Sequence, residues 1–196
     1  MSRQAELFAP PRTPARQPGE VGSATDSPLR KAPLLPAEIR LGASSWFFPG
    51  WRGLVYDRLY PEAALSRHGL AAYGEVPLLR TVSLDRTFYA PISTADYRRY
   101  ARQAPDGFSF IVKAPALVCD ALKRDEGGRG RVANPHFLDP GLAAREFIVP
   151  CLEGLGDKAG PLVFQISPLP RKMVEDSATL VDRLAAFFGA LPTGLG

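Results

Sequence analysis

Residues 39–46 read Ile39-Arg40-Leu41-Gly42-Ala43-Ser44-Ser45-Trp46, a short apolar run ended by two serines and a tryptophan. Its first five residues have the pattern of a β-strand. In an open doubly wound sheet, the turn after the first strand carries closely spaced glycines so that the backbone can approach a pyrophosphate. The Gly-Ala-Ser-Ser that stands here has no GxGxxG spacing. A barrel is therefore the better fit to whatever βα succession follows.

That succession is regular. Leu79–Leu84, residues 108–113 and residues 162–166 read as three more strands, with Phe108, Phe110 and Val112 on one side of the third. Between them lie helical patterns. Residues 61–73 are amphipathic, with Leu65, Leu70 and Tyr73 turned to one side. Ser93 or Thr94 caps a helix that carries Tyr97 and Tyr100 and ends near Gln103. Residues 140–155 form a helix interrupted or bent at Pro150, and residues 178–191 a helix capped by Asp176 or Ser177. A polar loop is expected over residues 119–135. Strand and helix alternating four times imply an α/β fold with a parallel sheet.

Residues 1–36 differ in kind. They hold Pro10, Pro11, Pro14, Pro18, Pro28, Pro33 and Pro36 with few apolar partners, a composition that buries too little surface to offset its ordering entropy. The expected organisation is a disordered tail over 1–36 and one domain over 37–196. Arg3, Arg12, Arg16, Arg30 and Lys31 stand against Glu6, Glu20 and Asp26 in this tail, so half of the net charge of +4 lies there. The remainder is too small for a surface that neutralises many phosphates, though it allows a local basic site. No apolar run reaches membrane-spanning length and the first residues lack a secretory signal, so a cytoplasmic location without membrane attachment is expected. Cys119 and Cys151 stand outside any CxxC pair and read as reduced core thiols. His68 and His136 are the only histidines and belong to no HExxH pattern, which argues against a metal centre.

Four stretches, in order, resemble a known family: residues 39–46 with Trp51-Arg52-Gly53 and Tyr60-Pro61 behind them; Thr87-Phe88-Tyr89 followed by Pro91; Phe108-Ser109-Phe110-Ile111-Val112-Lys113-Ala114-Pro115; and Leu162-Val163-Phe164-Gln165. Together they are similar to the YecE-like family, domain of unknown function 72, over about residues 38–196. The resemblance implies a TIM-type (β/α) barrel. Members often have a Glu and an Asn in the second strand, where this chain has Val82-Ser83-Leu84-Asp85-Arg86, so no role of that Glu carries over. Members also continue after the fourth helix, which makes a barrel truncated after about four βα units the expectation here. A half barrel leaves strand edges unpaired, so self-association or a complementary C-terminal chain is expected with it.

Barrels of this type place chemistry at the C-terminal ends of their strands. That rule selects Ser44, Ser45 and Trp46 after the first strand, Asp85, Arg86, Thr87 and Tyr89 after the second, Lys113 at the end of the third, and Gln165 and Ser167 after the fourth. Lys113 reads as an anion contact, as the ion-pair partner of Asp85, or as a covalent nucleophile. Asp85 orients Lys113 or acts as a general base. Lys113 and Asp85 are thus the candidate catalytic pair, and Trp46, Arg86, Thr87, Tyr89 and Gln165 the candidate substrate contacts. Trp46, Trp51, Phe88 and Tyr89 suit an aromatic wall, with core packing the alternative for Trp51 and Phe88. The loop at 122–131, with Lys123, Arg124, Arg129 and Arg131, suits either an anion-gathering cover or a solvated surface.

Three functions fit these residues: an enzyme-like barrel with a polar, anion-accepting pocket; a nucleic-acid or nucleotide binder without catalysis; and a truncated fragment without function. The sequence leaves open whether the chain is an enzyme, and names neither substrate nor cofactor.

Overall fold

A computed structural model describes residues 20–125 and 129–192. In chain order the elements are α1 (Pro28–Lys31), β1 (Leu41–Ala43), a 3-10 turn (Pro49–Trp51), α2 (Glu62–Gly74), β2 (Leu79–Leu84), α3 (Arg86–Tyr89), α4 (Thr94–Gln103), β3 (Ser109–Lys113), α5 (Ala116–Cys119), β4 (Leu122–Arg124), β5 (Gly130–Ala133), α6 (Pro140–Ala143), a π-turn (Ala144–Ile148), α7 (Val149–Leu155), β6 (Ala159–Val163), α8 (Arg171–Glu175) and α9 (Ser177–Gly189). β1, β2, β3 and β6 form one parallel sheet in that order. β4 and β5 pair antiparallel as a separate hairpin. Among the described residues the main sheet has two open edges, β1 and β6, and does not close into a barrel.

Alternation along the strands gives the sheet two unlike faces. Val82 and Leu84 of β2 stand in register with Phe110 and Val112 of β3, and all four are buried. They pack with Leu65, Leu70 and Tyr73 of α2, Tyr97 of α4, Cys151 and Leu155 of α7, and Phe187 of α9. The opposite face carries Ser83, Ser109, Ile111 and Lys113, which are only partly buried, together with the buried Thr81. α4 and α7 cross closely because Gly154 has no side chain: a Cβ there would strike Tyr97 Cβ and lie 2.8 Å from the Thr94 carbonyl oxygen.

Most of the expected elements are present, with shifted ends. β2 has the expected bounds, and Ser93 caps α4, its hydroxyl accepting from the Asp96 amide. The fourth strand of the sheet runs over Ala159–Val163 rather than 162–166, since β3 offers partners only along Ser109–Lys113. The helical run expected over 140–155 is interrupted, by a π-turn over Ala144–Ile148 that ends just before Pro150. Pro150 sits in the first turn of α7, and the wider π-turn before it absorbs the missing N–H. The long polar loop expected over residues 119–135 contains the β4–β5 hairpin.

The expected disorder of residues 1–36 does not hold for 20–36. Val21, Ser23, Ala24 and Ser27 are buried. The Gly22 amide donates to the Tyr60 hydroxyl at 2.9 Å, the Ala24 amide to the Val55 carbonyl at 2.8 Å, and the Ser27 hydroxyl to the Leu54 carbonyl. The partners lie some 30 residues downstream, so local composition misjudged a segment that is ordered by tertiary contact. Residues 1–19 lie outside the described residues.

Both cysteines are free and buried. Burial pushes each thiol up to about 12, the Cys151 thiol despite a hydrogen bond with Tyr97 that acts the other way. No described helix is long and apolar enough to cross a membrane.

Candidate functional site

At the C-terminal ends of β1 and β2 the chain leaves a cavity of about 480 Å³. Residues 44–47, which follow β1, form one wall with two serines and the rings of Trp46 and Phe47. Ser83 and Leu84 of β2, Asp85, and Arg86 and Tyr89 of α3 form the other. Ser66 of α2 and Tyr100 of α4 complete the lining.

The carboxylate of this lining, Asp85, is placed by strand register beside Lys113, which itself lies outside the lining. Leu84 pairs with Val112, so Asp85 comes opposite Lys113 on the neighbouring strand. Lys113 Nζ lies 3.1 Å from Asp85 Oδ2, and the Ser83 hydroxyl donates to Asp85 Oδ1. The side chains of Lys113 and Asp85 are 27% and 39% exposed, so water screens the pair and its net contribution is about 0–1 kcal/mol. Its consequence is orientation: the carboxylate is held by a donor on each oxygen and keeps free lone pairs for a ligand.

Arg86 is the second charge. It is exposed, forms no ion pair within 4.0 Å among the described residues, and reaches the Tyr100 hydroxyl at 3.3 Å through Nη1. Its field extends to α4. The Ser93 hydroxyl, foremost, with Arg99 and Arg86 behind it, holds the Asp96 carboxyl below its ordinary range. With Asp85 matched by Lys113, Arg86 leaves the cavity net positive.

Other residues selected by the strand-end rule do different work. Trp46 is 4% exposed; its Nε1 donates to the Leu65 carbonyl at 3.1 Å, and its own carbonyl accepts from the Tyr56 hydroxyl, whose ionisation burial pushes far upward. With edge-on contacts to Phe47 and Tyr100, at 5.7 and 5.4 Å between ring centres, it forms a fixed wall. Thr87 is fully buried, and its Oγ1 lies 2.6 Å from the carbonyls of both Leu84 and Lys113. It ties the end of β2 to the end of β3 and does not line the cavity. Tyr89 is 84% exposed at the rim. Gln165 is exposed beyond the end of β6 and lies outside the lining.

The expected aromatic wall is thus assembled from other residues. Trp46 and Tyr89 belong to it, whereas Trp51 packs against Phe48 and Tyr73, and Phe88 is absent from the lining. Phe47 and Tyr100 take their places. Helical periodicity puts Tyr100 on the buried side of α4, and only the packing of α4 against the loop after β1 turns that side into a cavity wall. Ser66, on the solvent side of α2, carries no signal in sequence. Of the basic loop, Arg129 pairs with Asp125 at 3.6 Å, and neither is part of the lining. Residues 126–128 lie outside the described residues. Among the described residues no three His, Cys, Asp or Glu side chains converge as metal ligands.

Comparison with known proteins gives one family. The profile of DUF72, a protein family of unknown function, matches residues 40–196. Two crystal structures of a DUF72 family protein from Enterococcus faecalis V583 match part of this chain. One is 17% identical over 78% of this chain and 48% of that one, with a TM-score of 0.48. The other is 18% identical over 63% of this chain and 45% of that one, with a TM-score of 0.39. The chain therefore spans less than half the length of these proteins. No curated protein matches the sequence.

Proposed function

Because the chain belongs to the DUF72 family, which carries no assigned reaction, its function has to be read from its own site, and we propose that the cavity at the ends of β1 and β2 binds a small anionic ligand. One observation carries this reading. Arg86 lines the cavity with no carboxylate within the 4.0 Å of an ion pair among the described residues, Asp96 of α4 feeling it only through its field, while the only acid of the lining, Asp85, is matched by Lys113. A guanidinium so placed offers several donors to a phosphate or carboxylate.

The finer fold belongs to the same proposal. Parallel sheets occur with both faces covered, and among the described residues the face bearing Ser83, Ser109, Ile111 and Lys113 is only partly buried. Closure of the four strands with further ones into a (β/α) barrel covers that face and sets the cavity at the end where such barrels carry their sites. In that setting the Lys113–Asp85 pair is available for proton transfer, Asp85 accepting and Lys113 donating. Two unpaired buried thiols suit a reducing compartment such as the cytoplasm.

Equilibrium dialysis against labelled inorganic phosphate at low ionic strength tests the reading. Saturable binding to one site per chain, weakened about tenfold or more in Arg86→Gln by loss of a charged hydrogen bond, is the expected result. Binding that does not saturate, or that Arg86→Gln leaves unchanged, removes it.

A further inference from the structure

Resting on the anion-site reading, and going beyond it to the rest of the ligand, we infer that the cavity takes a polyhydroxylated anion, a sugar phosphate or sugar acid, whose adjacent hydroxyls are gripped by Asp85. The argument starts from what lies beside the guanidinium. A site for a bare anion needs only donors, yet a carboxylate lines this one directly next to Arg86. Asp85 is held by Ser83 on one oxygen and Lys113 on the other, so its orientation is fixed before any ligand arrives. A carboxylate has about four lone-pair positions, and the two left over can accept two neighbouring hydroxyl groups side by side.

The remaining lining has the same character. Ser44, Ser45 and Ser66 supply hydroxyls that donate or accept as needed, which suits a ligand whose own hydroxyls do both. Tyr89 sets an exposed ring at the rim, where it can lie against the carbon face of a sugar ring. The wall behind is fixed by Trp46, anchored through its indole N–H and its carbonyl, so the cavity does not need to be built on binding. A volume of about 480 Å³ falls within the ordinary range of small-ligand pockets and has room for a phosphorylated pentose or hexose.

The test is isothermal titration of the full chain with three probes at one ionic strength: inorganic phosphate, ribose 5-phosphate and 2-deoxyribose 5-phosphate. Ribose 5-phosphate is expected to bind about ten- to a hundredfold more tightly than inorganic phosphate, from two hydrogen bonds to a charged acceptor. The 2-deoxy compound, which cannot offer the 2,3-diol, loses most of that preference. In Asp85→Asn the ratio of the two affinities falls toward one. Equal affinity for ribose 5-phosphate and inorganic phosphate overturns the inference and leaves the anion site standing. Failure of all three probes to bind overturns both.

Discussion

Replacing Thr87 by Val changes almost no volume and removes one hydroxyl from a fully buried position. That hydroxyl lies 2.6 Å from two backbone carbonyls, one at the end of β2 and one at the end of β3. A single hydroxyl proton serves one of them at a time, so the substitution deletes one hydrogen bond and leaves one buried acceptor less satisfied. The cost of leaving such a group unpaired is about 1–3 kcal/mol. In a domain of this size each kcal/mol lowers Tm by about 2–4 °C, which sets the expected loss at about 2–12 °C. Urea denaturation followed by far-ultraviolet circular dichroism measures it directly, and an unchanged slope shows that only stability has moved. A Thr87→Val protein within about 0.5 kcal/mol of the parent, the spread of ordinary surface changes, refutes the assignment of Thr87 as the tie between the strand ends.

Three further outcomes are expected. Gly154→Ala drives a methyl into Tyr97 and the Thr94 carbonyl, and should cost about 1–3 kcal/mol by forcing α4 and α7 apart; a neutral effect in thermal melting would contradict the close crossing. Burial raises the Cys119 and Cys151 thiols to about 12, so between about pH 8.5 and 12 the unfolded chain loses their protons while the native state keeps them. Stability should then be unaffected by these groups below about pH 8 and fall above it by up to about 1.4 kcal/mol per pH unit for each thiol, and alkaline melting curves without that decline would show the thiols to be accessible. The edges of β1 and β6 that are open among the described residues, with Val181 and Phe188 exposed on α9, should drive self-association. Light scattering at twice the chain mass or more is the expected reading, and a monodisperse monomer would remove this expectation.

How far the sequence could be read depended on where each residue's partners lie. β2 and α4 were legible because their signals are local: alternation in one, Ser93 followed by Tyr97 and Tyr100 in the other. Residues 20–36 were not, because Val21 and Ala24 find their partners near Val55 and Tyr60. The β4–β5 hairpin was hidden by its polar residues, which give a strand no apolar alternation to announce it. At the cavity, the strand-end rule found Asp85, Arg86, Trp46 and Tyr89 because position along a strand is a sequence property. It named Thr87 and Gln165 on the same ground, although the Thr87 hydroxyl turns into the backbone and Gln165 lies outside the lining. It missed Ser66 and Tyr100, which reach the cavity only through helix packing, and Phe47, which the loop after β1 carries into the wall beside Trp46. The Lys113–Asp85 pair was foreseen as one of three roles for Lys113, and the register of β2 on β3 is what brings the two together.

The most direct measurement is a crystal structure of the protein soaked with an anomalously scattering phosphate analogue such as tungstate. The account expects an anomalous peak within hydrogen-bond distance of the Arg86 guanidinium, on the cavity side facing Ser44 and Ser45. A peak only elsewhere, for instance at the exposed Arg98 and Arg102 near Lys158, with none at Arg86, would contradict it.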